Sequence, residues 1–240
     1  MILDNVLFLA ARTARSQAYA QAMLNAGMSP ASAIVYGAAA SRRLGQPDDQ
    51  LQRLPVQDLF IPDPCEPLDA TLEKLGTPVA LLEEDSVNSS AIIRQLNAMA
   101  PSLVIYSGYG SEIVPASLCG AYQFLHIHAG WLPDYRGSTT IYYSLLREKR
   151  CGVSALLLVP TIDAGPILLR RHYPPPPRGL NIDYIYDSAL RADLLIDVLK
   201  NFARGGLEAE MLAQAEGEGR TYFVVHPVLK NIVIERLEAS

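Results

Sequence analysis

The sequence predicts an α/β chain with a mostly parallel central sheet flanked by helices. Three observations carry that expectation. Short continuous apolar runs recur at residues 6–10, 33–36, 79–82, 103–106 and 122–127, and such runs mark strands covered on both faces. Helix-forming stretches alternate with them, which is the pattern of parallel βαβ units. The last run opens into a loop rich in Gly and Pro, within residues 124–137, FLHIHAGWLPDYRG. Strand ends of that kind are where α/β proteins place their chemistry.

The first strand, VLFLA at residues 6–10, is followed by a helix over 15–26, with Gly27 placed to end it. The second strand is AIVY, 33–36. The turn between the first strand and the helix, AARTARS, has no glycine. A dinucleotide fingerprint needs glycines there so that backbone can approach a pyrophosphate, so NAD and FAD are not expected at this turn. Residues 37–67 are polar and proline-rich, and read as a surface excursion with a short helix near 49–54. A helix is expected at 68–75, a strand at 79–82, and a helix at 88–98 that Asn88 or Ser89 can cap. The strand at 103–106 leads into Ser107, Gly108, Tyr109 and Gly110, and a short helix is expected over 111–118. After the glycine loop come a helix at 139–147, then strands at 152–159 and 166–173 joined as a hairpin. A long amphipathic helix is expected over 181–202 and a last short strand over 222–225. No internal repeat and no sharp break in composition divides the chain, so residues 1–240 read as one domain.

Composition excludes several classes. Net charge is −5 and the basic residues are scattered, which is not the footprint of a nucleic-acid binder. Cys65, Cys119 and Cys151 are odd in number and far apart, so neither a disulfide framework nor a zinc knuckle is indicated and a cytoplasmic setting is expected. No apolar stretch is long enough to cross a bilayer, and no basic segment precedes the first apolar run, so neither a membrane nor a secretory leader is expected.

The chemistry-bearing residues cluster in two stretches. His126 and His128 stand two apart, so a strand that runs through both turns both imidazoles to one face. Some thirty residues later, TIDAGPI places Asp163 between two apolar runs. An Asp there is a turn-former or a placed carboxylate. Near an imidazole it orients the ring and favours its cationic form. Arg136 can bind a substrate or anchor the loop. Trp131, the only tryptophan, can cover a pocket or pack beneath the loop.

These residues resemble the core of the folate-dependent formyltransferase family. Its pattern is Asn-x-His-Pro/Gly-Ser-Leu-Leu-Pro-x-Tyr-Arg-Gly, then Gly-Val-Thr and Asp-x-Gly-x-Ile. His128, Leu132, Pro133, Tyr135, Arg136 and Gly137 match the first part; Gly152, Val153, Asp163, Gly165 and Ile167 match the second. The stretch from Pro101 to Tyr109 resembles the family's Pro-Asp-x-x-x-x-x-Gly-Tyr/Phe strand and turn. The likeness is close over roughly residues 75–170 and holds only in outline before that. It implies a Rossmann-like formyltransferase fold and transfer of a formyl group from 10-formyltetrahydrofolate to an amine. By the resemblance His128, Asp163 and His126 are catalytic. Ser107, Gly108, Tyr109, Ser111, Ile113, Thr161 and Ile162 would face the folate, and Arg136, Gly137, Trp131 and Tyr135 the acceptor.

The chain departs from the pattern at informative places. His126 stands where the family has Asn, and Ala129-Gly130-Trp131 replaces the usual Pro/Gly-Ser-Leu. Ser111 stands where the folate loop often carries Arg. A histidine can supply one N–H in place of an amide, but it titrates. Formyltetrahydrofolate hydrolysis and folate binding without catalysis are alternatives. The set His126, His128 and Asp163 also suits a metal-dependent enzyme, although the family's site needs no metal and none is expected. The chain ends before the extra C-terminal β-domain of the tRNA-directed enzymes would fit, so the expected acceptor is a small-molecule amine, such as a nucleotide sugar or an amino-acid derivative. Residues 222–230 can line its side of the site or form an edge strand. A homodimer is the expected assembly.

Overall fold

The computed structural model describes residues 1–38, 56, 58–110, 112–205, 211–215 and 217–239. The short helix expected near 49–54, and Ser111, lie outside the described residues. In chain order the elements are β1 (Ile2–Ala11), α1 (Ala14–Asn25), β2 (Ser29–Tyr36), α2 (Leu68–Leu75), β3 (Val79–Leu82), α3 (Ser90–Met99), β4 (Leu103–Ser107), α4 (Ala116–Ala121) and β5 (Phe124–His128). They continue with β6 (Arg136–Gly137), α5 (Thr140–Glu148), β7 (Cys151–Leu157), β8 (Ile167–Tyr173), α6 (Asp187–Ala203), β9 (Thr221–Tyr222) and α7 (Pro227–Glu238). A π-helical turn, Ile182–Tyr186, leads into α6.

Seven strands form one sheet in the order β3-β2-β1-β4-β5-β7-β8. The first five run parallel, and β7 and β8 are antiparallel to their neighbours, so the expected hairpin is present. Strand order reverses between β1 and β4, and the carboxyl ends of strands beside such a switch point open into a crevice. Both faces are covered. One side packs Phe8, Ile105 and Ile127 against Tyr19, Leu194 and Leu195 of α1 and α6; the other packs Leu9, Val104 and Phe124 against Ile92 and Leu96 of α3 and Leu118 of α4.

Local chemistry explains the ends. Thr13 accepts from Ser16 N to cap α1, and Ser89 accepts from Ile92 N to cap α3. β1 is longer than its apolar core predicts. Asp4 and Asn5 sit at an irregularity in the β1–β2 register, with Asn5 at φ 59°, so polar residues occupy strand positions. α4 starts later than expected because Pro115 holds an extended backbone and caps it, and the residue before a proline is kept out of helix. The last strand is shorter than expected and sits earlier, at Thr221–Tyr222, paired with β6. The chain then turns helical, because Pro227 suits a first helical position and His226 accepts from Val228 N to cap α7.

Candidate active site

β5 runs through His128, pairing His126 with Leu156 and His128 with Ser154 on β7. Both imidazoles therefore occupy one side of the strand, with ring centres 6.5 Å apart. The β7–β8 loop brings Asp163 back so that its Oδ2 lies 3.4 Å from His128 Nδ1. His128 and Asp163 are both buried. One ring nitrogen of each histidine and one Asp163 oxygen fall within 4.8 Å of one another.

The loop between β5 and α5 fixes the His128 ring. A carbonyl can only accept, so Nε2 carries the proton it donates to Tyr135 O, at 2.6 Å. That places Nδ1 toward Asp163. The approach depends on Gly130. A Cβ there would stand 2.5 Å from His128 Nε2 and closer still to Tyr135 O, so glycine at this position is what admits the contact in this chain. Ser154 fastens the loop to β7 by accepting from Leu132 N and donating to Gly130 O, at 3.0 and 2.7 Å.

Asp163 has φ 51°, in the left-handed region where Asp is tolerated. Its Oδ2 accepts from Gly137 N at 2.8 Å. Gln214 then clamps the two loops together. Its amide donates to Asp163 O and Gly165 O, and its Oε1 accepts from Arg136 Nε and Nη2 at 3.1 and 2.6 Å. Gly137 is at φ 97°, and a Cβ there would collide with Tyr222 O, so β9 can close on it only because it is glycine.

Three residues beneath the site escaped sequence reasoning. Arg15 donates from Nε to Ser107 Oγ at 3.2 Å and from Nη2 to Gly108 O. Arg191 donates to Ile127 O at 2.6 Å and pairs with Asp187 at 2.8 Å. Burial lowers the Arg15 pKa, and Arg191 lowers it further. For Arg191 burial is the largest influence and acts downward, but Asp187, Tyr19 and Asp163 together outweigh it and the pKa rises. His126 feels both arginines. Burial first, then Arg15, Arg191 and His128, hold its imidazole well below the usual histidine range, against a backbone hydrogen bond to Tyr106. Its Nδ1 is buried and has no hydrogen-bond partner among the described residues.

The remaining expected residues divide. Ser107 is fully buried, and its Oγ is bonded to Arg15 and Ser16. Tyr109 N donates to Glu112, whose carboxylate also accepts from Tyr36 OH, Tyr106 OH and Val87 N. Ile113 and Ile162 are 55% and 50% exposed, so two apolar side chains stand in solvent on the two loops assigned to the folate; Thr161 is exposed as well. Trp131 is stacked on His172 at 3.9 Å, with the Arg170 guanidinium 4.4 Å from its ring, so it packs against β8. Tyr135 is buried, and its hydroxyl donates to Glu148 at 2.6 Å.

A family model described as formyl transferase matches residues 7–187. The chain belongs to the formyl transferase family. Methionyl-tRNA formyltransferase from Listeria welshimeri is 31% identical over 169 residues, covering 68% of this chain and 51% of that protein. The chain thus spans about half the length of the curated relatives it matches. Two solved structures share the fold. One is phosphoribosylglycinamide formyltransferase from Anaplasma phagocytophilum, with a TM-score of 0.59 at 16% identity, covering 91% of this chain and 97% of that one. The other is HypX from Aquifex aeolicus in complex with tetrahydrofolic acid, with a TM-score of 0.55 at 18% identity, covering 94% of this chain and 30% of that one. Among the described residues no helix is long and apolar enough to cross a membrane.

Proposed function

We propose that this formyl transferase moves a formyl group from 10-formyltetrahydrofolate to the amine of a small molecule. The observation that carries the reading is the His128–Asp163 pair, one ring nitrogen fixed on Tyr135 O and the other 3.4 Å from a buried carboxylate. As the amine attacks the formyl carbon, negative charge grows on the formyl oxygen. With Nε2 held by Tyr135 O, the donor available to that oxygen is a proton on Nδ1, and such a donor stabilises the transition state by about 3 kcal/mol. Asp163 takes the proton released by the attacking nitrogen; the bond from the formyl carbon to N10 of the folate then breaks, and N10 leaves with a proton as tetrahydrofolate. The exposed Ile113 and Ile162 side chains support placing the pterin between their loops.

His126 stands in place of the family's Asn and contributes one N–H beside the reacting oxygen. Because burial and the two arginines keep it neutral, it does so without becoming a cation. His126→Asn is therefore expected to move only the acid limb of the pH–rate profile; a superimposable profile sinks this role.

The test of the function is incubation with 10-formyltetrahydrofolate and candidate amines, following tetrahydrofolate release. Release that requires a small amine supports the reading, and release without any amine identifies hydrolysis. The Listeria relative favours a second acceptor, methionyl-tRNA, and a charged-tRNA arm of the same assay decides between them. No release in any arm overturns the catalytic reading.

A further inference from the structure

We propose that His126, His128 and Asp163 form a binding site for one divalent transition-metal ion. The inference does not rest on formyl transfer: an ion held by His128 Nδ1 and Asp163 Oδ2 takes the two atoms that formyl transfer would use, so the loaded site and the transferring site are alternative states of one set of residues.

Geometry carries the proposal. The 3.4 Å between His128 Nδ1 and Asp163 Oδ2 is long for a charge-assisted hydrogen bond, which closes to about 2.8 Å. It is the spacing of two ligands on one tetrahedral ion, since bonds of about 2.1 Å set ligand atoms about 3.4 Å apart. A ring nitrogen of His126 completes a set within 4.8 Å, and a shift of up to about 1.4 Å (4.8 less 3.4) brings it to the same spacing.

The surroundings match what metal ligands need. A ligating imidazole gives its other N–H to a carbonyl or carboxylate, which fixes the tautomer. His128 Nε2 is so held by Tyr135 O, with Thr140 Oγ1 at 3.4 Å. The Asp163 carboxylate is oriented by Gly137 N. His126 Nδ1 is a buried polar atom with no hydrogen-bond partner among the described residues, and an ion would satisfy it.

Two imidazoles and one carboxylate favour Zn(II), Fe(II) or Co(II) over Mg(II) or Ca(II), which take oxygen ligands. Three protein ligands leave coordination positions open for water or a carbonyl oxygen. The buried Arg15 and Arg191 repel any cation here, and Asp187 offsets the second of them. The affinity must therefore come from direct coordination and not from a negative field.

The test is titration of the chelator-stripped full chain with Co(II), read by visible absorption. Bands that saturate at one ion per chain and are displaced by Zn(II) are expected. His126→Asn and Asp163→Asn should each weaken binding by more than about tenfold, while His226→Gln, far along the chain at the α7 cap, leaves it unchanged. Circular dichroism verifies folding, and His126→Gln replaces any variant that fails it. No saturable band in the wild type, or an unaltered curve for His126→Asn, overturns the proposal. Because the readout contains no folate, a failed formyl-transfer assay with intact Co(II) binding removes only the functional reading. The reverse removes only the metal.

Discussion

His126 is the residue at which this chain parts from its family, and its environment has a thermodynamic consequence. In the folded protein its pKa lies well below the ordinary value, through burial and the charges of Arg15, Arg191 and His128. Unfolding exposes it to water, where a histidine titrates near about 6.5. Between the two values the unfolded chain binds more protons than the folded one, so stability falls as pH drops below about 6.5 and is fully present above it. The slope is at most about 1.4 kcal/mol per pH unit for one proton. His126→Asn should flatten that part of the curve when unfolding is followed from neutral to acid pH with a chelator present. An unchanged slope would show that the imidazole is already protonated in the fold.

At the scale of elements, two loops make the site, and neither is rigid by itself. The β5–α5 loop is tacked to β7 by Ser154 and to Asp163 through Gly137 N. The β7–β8 loop is held from the far end of the chain by Gln214. Gln214 touches none of the reacting groups proposed here, so it is a positioning residue. Gln214→Ala frees Asp163 O and the Arg136 guanidinium together. A displacement of about 1 Å at a reacting group costs up to about 100-fold in rate. A kcat loss of that order with little change in KM is expected, and an unaltered kcat would remove the role. Gln214 also shows why part of the site was not legible. His126, His128 and Asp163 were readable because strand period and turn chemistry are local. Gln214 sits in a polar stretch with no period, and its partners are some fifty residues away. Trp131 and Tyr135 were legible as loop residues, but the direction of their side chains depends on β8 and on Glu148, which local pattern does not contain. α7 escaped sequence reasoning: residues 222–230 read as an edge strand or a side of the site, whereas His226 and Pro227 start a helix there instead.

At the scale of the whole molecule, the crevice sits on a largely buried ion pair that joins the helical layer to the sheet. Arg191 reaches from α6 to the carbonyl of Ile127, between the two histidines, while Asp187 one turn earlier holds its charge. The sequence offered this pair only as two polar positions in an amphipathic helix; that it faces the core follows from the sheet order, which puts α6 against β5 and α1. A buried guanidinium deprived of its carboxylate costs about 3–5 kcal/mol, far more than a solvated pair contributes. Asp187→Asn should therefore lower Tm by roughly 10 °C, at about 2–4 °C per kcal/mol for a chain of this size. Lys200→Ala breaks a half-exposed pair of the same helix, Lys200–Asp197 at 3.4 Å, and should change stability by less than about 1 kcal/mol. Thermal unfolding of both variants separates the cases. If the two shifts are equal, the Arg191–Asp187 pair is solvated, and the low pKa of His126 needs a source other than a dry, positively charged floor.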